Sequence, residues 1–356
     1  MDWLEKLVRP AIGAMKPYSS ARNEAGGIKA DIFLDANELL WPPYGSTDAQ
    51  EYNRYGEPQP VALLERLAAL YGVSTEQLLV GRGSDEGIEL LVRCFCRENQ
   101  DSILLCPPTF GMYKVAAALQ GAAVINVPIT AATNYQLDVP AILNTIQPHT
   151  KLIFLPTPHA PMGHAMNPQD MLDLCTKLRG RCVIVADEAY VEFSDAPEGM
   201  IPHLKAHDNL VVLRTLSKAH ALAGERIGTV IAHPALIAMM QKILAAYPLP
   251  RSAVAAALAA LSPEGLAQSA HYRQVVVKER ERLAAAFRQH SEVVKIFPSV
   301  GNFLLLEVKN PKIFMKTAAD NGILLRNRES DVPNCVRFSV GRCEQNDRLL
   351  AAFGLL

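Results

Sequence analysis

Short apolar runs alternate along the chain with segments in which apolar residues recur at helical spacing. The runs predict β-strands at residues 102–106, 123–127, 151–155 and 182–186. The intervening segments predict helices at residues 139–146 and 168–178. Strands and helices that alternate in this way form mostly parallel sheets with right-handed crossovers. The pattern therefore predicts an α/β fold.

A proline-containing segment at residues 247–250 separates this pattern from a different one. Before it, the sequence also predicts strands at residues 78–81, 210–213 and 228–232, and helices at residues 61–71 and 234–246. After it, a long helix at residues 267–290 precedes strands at residues 293–297, 303–308 and 336–340.

This change of pattern predicts two domains. We expect a large domain with the mostly parallel sheet at residues 31–248 and a smaller α+β domain at residues 249–356. Residues 1–30 are expected to form an N-terminal arm that packs with the small domain.

The composition allows a large buried core and excludes several kinds of partner. The chain has 356 residues, of which 49% are hydrophobic and 20% charged, and its net charge is -1. This balance argues against nucleic acid or an anionic membrane as the main partner. The longest apolar stretch, residues 253–261, is too short to span a membrane. The first residues lack a signal-like apolar run, so a cytoplasmic location is expected.

The cysteines do not form a metal-binding pattern. Seven are scattered along the chain, with no pair of Cys-x-x-Cys motifs, and the nine histidines show no ligand spacing. We therefore expect no metal site and buried thiols in a reducing compartment.

Residues 210–218 present a lysine at the end of a predicted strand. The apolar run at residues 210–213 gives way to Ser217 and Lys218. A lysine amine, with an ordinary pKa of about 10.4, becomes reactive where desolvation or nearby positive charge makes it neutral. Arg226 can supply that charge and can also clamp a phosphate. Most lysines are merely solvated, so the neighbours of Lys218 decide between the two interpretations.

A second apolar run, residues 182–186, delivers Asp187 at its carboxyl end. Such a run is typical of a parallel strand buried on both faces, and open α/β sheets bind ligands at that edge. Asp187, Lys218 and Tyr190 together match what pyridoxal phosphate needs. They offer an anion for the pyridinium nitrogen, an amine for the aldehyde and a phenol for the ring oxygen.

The segment Gly81–Gly87 predicts a phosphate cradle between a strand and a helix that we expect to begin at Asp85. Free N–H groups and the helix dipole converge at such a turn. Two ligands fit it, a dinucleotide or the phosphate of pyridoxal phosphate. The third glycine comes one position too late for the dinucleotide fingerprint, and Asp101 stands before the next strand rather than after it. These two departures favour pyridoxal phosphate.

Two segments resemble family signatures almost letter for letter. They are Arg-Thr-Leu-Ser-Lys-Ala-His-Ala-Leu-Ala-Gly-Glu-Arg-Ile-Gly at residues 214–228 and Val-Ala-Asp-Glu-Ala-Tyr-Val-Glu-Phe at residues 185–193. By these motifs the chain resembles the fold-type-I aminotransferases and, within them, the histidinol-phosphate aminotransferase family. The resemblance covers nearly the whole chain. It implies pyridoxal 5'-phosphate as cofactor and a homodimer. It also implies amino transfer from L-histidinol phosphate to 2-oxoglutarate, giving imidazole-acetol phosphate and glutamate in histidine biosynthesis.

The resemblance also implies roles for individual residues. Lys218 would hold the cofactor and carry a proton, Asp187 would keep the ring nitrogen protonated and Tyr190 would contact the ring oxygen. Phe110 would stack on the ring. The cofactor phosphate would be held by Gly83, Ser84, Asp85, Ser217, Arg226 and, across a dimer, Tyr55. The substrate would be bound by Tyr18, Asn302, Arg326 and Arg337.

Arg337 also stands out from the residues themselves. It lies in a predicted strand between apolar neighbours. A buried arginine is costly unless an anion pairs with it. We therefore expect Arg337 to clamp the substrate's anionic group, with Arg326 as the second arginine.

The segment Pro156–Gly163 departs from the family pattern. Ala160 takes the place of an asparagine that donates to the cofactor's ring oxygen, His159 precedes it and Met162 replaces a threonine. Other enzymes of this fold, such as a threonine-phosphate decarboxylase or another aminotransferase, remain alternatives. A cofactor-binding relative that has lost turnover is a further one.

Overall fold

The computed structural model describes residues 2–17 and 32–356. The first described segment contains two short helices, α1 (Asp2–Leu7) and α2 (Pro10–Ala14). Their buried side chains, Leu4, Leu7 and Ile12, pack into the core of the large sheet described below. The N-terminal arm was expected to pack with the small domain, but the apolar side chains of its described part, residues 2–17, are buried in the core of the large sheet.

The large sheet contains seven strands. They are β1 (Leu78–Gly81), β2 (Ser102–Leu105), β3 (Ala123–Asn126), β4 (Thr150–Pro156), β5 (Val183–Asp187), β6 (Leu210–Thr215) and β7 (Gly228–Ala232). Their order is β1-β7-β6-β5-β4-β2-β3. Strand β7 runs antiparallel to both neighbours, and all the other pairings are parallel. The predicted mostly parallel sheet is confirmed.

Helices cover both faces of this sheet. They are α3 (Val61–Tyr71), α4 (Gly83–Phe95), α5 (Met112–Gln120), α6 (Val139–Thr145), α7 (Pro168–Lys177), α8 (Pro234–Gln241) and α9 (Arg251–Ala260). Helices α3, α6, α7 and α9 bury side chains on one face, and α4, α5 and α8 on the other. Successive strand residues point to opposite faces, so Val80 joins the first core and Leu79 the second.

Two helix boundaries in the large domain differ from the prediction by two residues or more. Helix α4 begins at Gly83, two residues earlier than expected, and Gly83 has a positive φ of 79° at the turn that leads into it. Helix α8 ends at Gln241, although the apolar pattern continues to residue 246. Helix α3 ends as predicted, with Gly72 in the left-handed conformation at φ 67°.

The small sheet is antiparallel. It contains β8 (Val293–Ile296), β9 (Phe303–Val308), β10 (Arg326–Asn327) and β11 (Cys335–Ser339) in the order β10-β11-β9-β8. Helices α10 (Pro263–Phe287), α11 (Pro311–Asp320) and α12 (Cys343–Ala352) cover one face and share its core. Helix α10 begins earlier than predicted because the Ser262 side chain accepts from Gly265 N.

The other face of the small sheet turns towards the large domain. Leu305 and Cys335 on this face form a cluster with Phe297, Val332 and Met162, and Met162 comes from the segment after β4. Side chains alternate between the two faces along β11, so Arg337, two residues after Cys335, lies on the same face as Cys335. The small domain therefore presents Arg337 towards the carboxyl edge of the large sheet.

The domain boundary in the structure falls later than residue 248. Helix α9 lies in the segment that we assigned to the small domain, yet Ala253, Ala257 and Leu261 are buried in the core of the large sheet. The proline-containing segment marks a turn between α8 and α9, and the crossing into the small domain is made by the long helix α10.

Three further expectations concern composition. Six of the seven cysteines are buried free thiols, but Cys343 is exposed at the start of α12. Across residues 2–17 and 32–356, no group of three or more His, Cys, Asp or Glu side chains is placed to hold a metal ion. In the same residues, no helix is both long and apolar enough to cross a membrane.

Candidate active site

A cavity opens at the carboxyl edge of β4, β5 and β6, where the prediction placed the site. It brings together predicted residues from four separate segments of the chain. Those that line it are Ser84, Asp85, Phe110, Asp187, Tyr190, Ser217, Lys218 and Arg226. Pro156, Pro158, Ala160, Ala189, Thr215, Ala223 and Tyr113 complete the lining.

Asp187 ends β5 and is only 5% exposed. One of its carboxylate oxygens accepts a 2.7 Å hydrogen bond from the Tyr113 hydroxyl, and the other accepts from Ala189 N at 3.3 Å. Burial raises the pKa of Asp187 to about 6, although Tyr113 and the Ala189 amide act to lower it. A buried carboxylate of this kind is ready to pair with a cation at the bottom of the cavity.

Tyr113 was not among the predicted site residues. It belongs to the first turns of α5, is fully buried and stacks on Phe154 with ring centroids 4.8 Å apart. It also meets Phe110 edge to face at 5.6 Å. The signal that could have identified it is a second aromatic residue three positions after Phe110, in the first turn of the helix that follows β2.

A buried ion pair ties the end of β5 to the end of β6. Arg214 is 2% exposed and donates to Glu188 at 2.8 Å and to Glu192 at 3.3 Å. Glu188 directly follows Asp187, and Arg214 lies four residues before Lys218. This interaction joins the segment that carries Asp187 to the segment that carries Lys218. Removing either charge would leave the other buried without a partner, which is costly.

Lys218 lies three residues beyond the end of β6, with its amine facing the cavity. Its Nζ is 5.7 Å from the centroid of the Tyr190 ring. Partial burial lowers the pKa of Lys218, and the positive charges of Arg337 and Arg226 lower it further. Both causes favour the neutral amine that a nucleophile needs.

The opposite end of the cavity is rich in hydrogen-bond donors. Arg226 donates to the Ser217 hydroxyl at 3.2 Å and forms an ion pair with Asp85, also at 3.2 Å. The Thr215 hydroxyl lies 2.9 Å from that of Ser217 and fixes it at the strand end. Helix α4 begins here, and the N–H groups of its first turn have no partners within the helix. This end is suited to a phosphate.

Glycine is required at two positions for this end to form. A Cβ at Gly228 would overlap the backbone of Gly83 and Ser84, so only glycine lets β7 approach the first turn of α4. Gly83 has a φ of 79°, a conformation that side chains rarely adopt. The close packing of these two glycines places the N–H groups of α4 beside Arg226.

Phe110, Ala160 and Tyr190 form the side walls. Tyr190 is linked to the small domain through Phe303, whose ring centroid is 5.2 Å away. Phe303 in turn lies 5.1 Å beneath the guanidinium of Arg337. Arg337 therefore stands next to the cavity without lining it, and Arg326 is its cross-strand partner on β10. Asn302 does not line the cavity and holds β11 through its carbonyl, which accepts from Val340 N at 2.9 Å.

Two further predicted residues lie away from this cavity or outside the described chain. Tyr55 is half exposed in an irregular loop, as its prolines predicted, and stacks on Tyr247 with ring centroids 4.4 Å apart. It does not line the cavity of its own chain. Tyr18 lies outside the described residues.

The unusual segment after β4 places one side chain in the cavity and two elsewhere. Ala160 lines the cavity, as its alignment with the family's asparagine predicts. His159 is 1% exposed and stacks on His164, with centroids 5.2 Å apart, and neither ring nitrogen has a partner among the described residues. Met162 is buried against the small domain. Because His159 does not line the cavity, it is not placed to replace the missing donor.

A second cavity, of about 890 Å³, lies between α3, the start of α10 and residues 197–205. It is lined by Tyr71, His220, Arg273 and the edge of the Arg214 and Glu192 pair, and by no predicted site residue. Because the candidate nucleophile, Asp187 and the phosphate end all meet in the smaller cavity, that cavity is the candidate active site.

Comparison with protein families agrees with this geometry. Residues 32–353 match the model of the family "Aminotransferase class I and II". A histidinol-phosphate aminotransferase of Stenotrophomonas maltophilia is 44% identical over 356 residues, covering 99% of this chain and 97% of that protein. Histidinol-phosphate aminotransferase 1 of Pasteurella multocida is 42% identical, covering 98% of each chain.

Solved structures agree on the fold. The histidinol-phosphate aminotransferase of Clostridium acetobutylicum superposes with a TM-score of 0.77 at 20% identity, over 86% of this chain and 91% of that one. That of Sinorhizobium meliloti, solved with pyridoxal-5'-phosphate, gives 0.75 at 24% identity, over 86% and 83%. A threonine-phosphate decarboxylase of Porphyromonas gingivalis gives 0.71 at 21% identity, which shows the shared fold alone. The chain belongs to the class I and II aminotransferases and, within them, to the histidinol-phosphate aminotransferase family.

Proposed function

We propose that this protein is a pyridoxal-phosphate-dependent histidinol-phosphate aminotransferase. It moves the amino group of L-histidinol phosphate to 2-oxoglutarate and gives imidazole-acetol phosphate and glutamate, a step of histidine biosynthesis. The observation that carries the proposal is the meeting of Lys218, Asp187 and Arg226 in one cavity at the carboxyl edge of the sheet. The relatives that are 40–44% identical over almost their full length support the substrate.

The cavity fits pyridoxal 5'-phosphate at both ends. The bottom holds a buried carboxylate, Asp187, that is suited to a protonated ring nitrogen, and the far end holds Arg226, Ser217 and the first turn of α4, which are suited to a phosphate. Lys218 stands beside these groups with an amine whose pKa is lowered. Gly83, Ser84 and Asp85 would contribute backbone N–H groups to the phosphate. Phe110 would stack on one face of the ring.

The cofactor, once bound, supplies an aldehyde that exchanges amino groups and a ring that accepts electrons from the substrate carbon. Lys218 would bind it covalently, be released by the incoming amine and then move the proton between substrate and cofactor carbons. Asp187 would hold the proton on the ring nitrogen, and Tyr113 would hold Asp187. Tyr190 would donate to the ring oxygen. The walls and the small domain would limit the access of water during proton transfer.

The substrate would enter from the side of the small domain. Arg337 and Arg326 would bind its phosphate or carboxylate, with Tyr18 and Asn302 as further contacts. The mostly parallel domain, now taken as residues 2–17 and 32–261, would carry the cofactor, and the remainder would close over the substrate. Buried free thiols are compatible with the cytoplasm.

The active site would be shared across a homodimer. Tyr55 lies outside the cavity of its own chain, on an exposed loop. The preceding segment exposes several large apolar side chains, among them Ile32 at 77%, Leu39 at 70% and Trp41 at 69%. Exposed large apolar side chains concentrated in one segment are typical of a protein interface. In a dimer, Tyr55 would reach the phosphate of the partner's cofactor.

An amino-donor assay tests this function. We expect the purified enzyme to form glutamate from 2-oxoglutarate with histidinol phosphate as donor, in equal amounts with imidazole-acetol phosphate. A faster reaction with another amine would indicate a different aminotransferase. Carbon dioxide release from threonine phosphate would indicate the decarboxylase, and bound cofactor without any transfer would indicate a binding protein.

A further inference from the structure

Three arginines lie on one face of the small sheet, and one of them has no role in the site described above. Arg326 and Arg337 are directly opposite each other on β10 and β11. The backbone N–H of Arg328 donates to Cys335 O at 2.9 Å, which extends this pairing by one step. Residues two apart on a strand point to the same face. Arg328 therefore faces the large domain together with Arg326 and Arg337.

The Arg328 side chain is held in place but only partly satisfied. Its side chain is 14% exposed and pairs with Asp331 at 2.6 Å. Its Nε is buried and has no hydrogen-bond partner in the described part of the chain. A buried guanidinium N–H without an acceptor is costly, and an acceptor that arrives with a ligand would remove that cost.

The charges of this face do not balance. Arg326 and Arg337 form no ion pair with the described residues 2–17 and 32–356, and Asp331 is the one acid that pairs with Arg328 there. Glu329 belongs to the opposite side, where it accepts from Asn327 at 2.9 Å. Three guanidinium groups against one carboxylate leave a charge of about +2, which matches a phosphate monoester of about -1.5 to -2 at neutral pH.

The three arginines lie next to the cavity. Arg337 lies over Phe303, which contacts Tyr190. Burial raises the pKa of Tyr190, and both Arg337 and Arg328 are near enough to act against that increase. The pKa of Arg328 itself is lowered, first by burial, and Arg337 and Arg326 add to the effect. An anion placed among the three would relieve this repulsion.

We propose that Arg328 is a third guanidinium ligand of the substrate's phosphate, and that it sets the preference for phosphorylated over unphosphorylated amino donors. This inference rests on the proposed function. Two arginines already suffice for a carboxylate, which carries one charge and takes one bidentate pair. The third arginine adds a charge and a fixed fork that a phosphate can use and a small carboxylate or a hydroxyl cannot.

The test compares histidinol phosphate with histidinol as amino donors for the holoenzyme. In Arg328→Gln, the ratio of kcat/KM for the phosphorylated over the unphosphorylated donor should fall roughly tenfold or more, mainly through KM. Inorganic phosphate should become a weaker competitive inhibitor by a similar factor. Arg328→Lys, which keeps the charge and loses the fork, should give an intermediate ratio.

Asp331→Asn is the matched control, since it breaks the same ion pair and keeps Arg328. It should keep the donor ratio or raise it. An equal fall in Asp331→Asn and Arg328→Gln would show that the ion pair only shapes the loop, and an unchanged ratio in Arg328→Gln would remove Arg328 from the phosphate site. A wild-type enzyme that accepts no amino group from histidinol phosphate would instead refute the proposed function itself.

Discussion

The Tyr113 hydroxyl donates a 2.7 Å hydrogen bond to Oδ2 of Asp187, and both side chains are buried. Burial raises the pKa of Asp187 to about 6, and the Tyr113 hydrogen bond acts to lower it. The carboxylate is ionised above that pH and neutral below it. A ligand that places a cation against Asp187 should therefore bind well above about pH 6 and progressively worse below it.

In Tyr113→Phe, the pH below which cofactor binding weakens should be higher than in wild type. Without the donor, the ionised carboxylate loses a hydrogen bond worth on the order of 1 kcal/mol or more, so the pKa of Asp187 rises. Cofactor affinity at neutral pH should fall by up to about tenfold. The measurement is the dissociation constant of pyridoxal phosphate for the apoprotein as a function of pH.

Asp187→Asn provides the control for the ionisation of the cofactor's own phosphate, which affects all variants alike. The affinity of Asp187→Asn for pyridoxal phosphate should be weak, and its pH dependence should lack the step that wild type shows near pH 6. If the Tyr113→Phe and wild-type curves have the same midpoint, Tyr113 does not influence Asp187.

A second prediction concerns Ala160. This residue lines the cavity at the position where the resemblance predicts a hydrogen-bond donor, and His159 does not line it. A donor at this position stabilises an anionic ring oxygen, so Ala160→Asn should lower the pKa of the bound cofactor's chromophore by at most about one unit. Cofactor binding should tighten by at most about tenfold.

A spectral pH titration of the holoenzyme tests this, with His159→Ala as the control that should change nothing. If Ala160→Asn leaves the chromophore's pKa in place, residue 160 does not reach the ring oxygen. A change in His159→Ala would mean that the loop rearranges when the cofactor binds.

The third prediction tests the shared active site. Lys218→Ala and Tyr55→Phe homodimers should each be strongly impaired, the first by loss of the amine and the second by a weakened cofactor site. After subunit exchange, one of the two sites in a mixed dimer contains both wild-type groups. Activity should therefore return to a fraction of the wild-type value. Demonstrated exchange without any recovery would place Tyr55 outside the partner's site.

The fourth prediction concerns the residue that binds the cofactor. Borohydride reduction of the holoenzyme should fix the cofactor to Lys218, because this amine lies in the cavity and its pKa is lowered. A proteolytic map with mass spectrometry reads the labelled residue. Arg226→Gln should still be labelled at Lys218 but should bind cofactor more weakly. Label on any other lysine would contradict the assignment.

Sequence patterns predicted the sheet and the position of the site for a physical reason. The parallel strands are buried on both faces, so their apolar runs end sharply where the chain reaches the ligand edge, as at Asp187. The same reasoning could not assign α9 to the large domain. Its alanine-rich pattern indicates a helix but not which core receives it.

Sequence patterns also could not identify residues that act through other residues. Tyr113 looks like an ordinary helix residue until the fold places it against Asp187. Arg328 is recognised as a candidate ligand only from its buried Nε and from its strand register beside Arg326 and Arg337. Ala160 is the opposite case, since the resemblance predicted a place for it in the site and it lines the cavity, whereas His159 does not.

Lys218 is proposed to carry out amino transfer from histidinol phosphate. One measurement tests it most directly: addition of histidinol phosphate to the purified holoenzyme without 2-oxoglutarate, with the absorption spectrum and the product followed together. We predict complete conversion of the cofactor spectrum and about one equivalent of imidazole-acetol phosphate per site, reversed by 2-oxoglutarate, and no product with Lys218→Ala. An unchanged spectrum and no product from the wild-type holoenzyme would show that the protein does not transfer the amino group of histidinol phosphate.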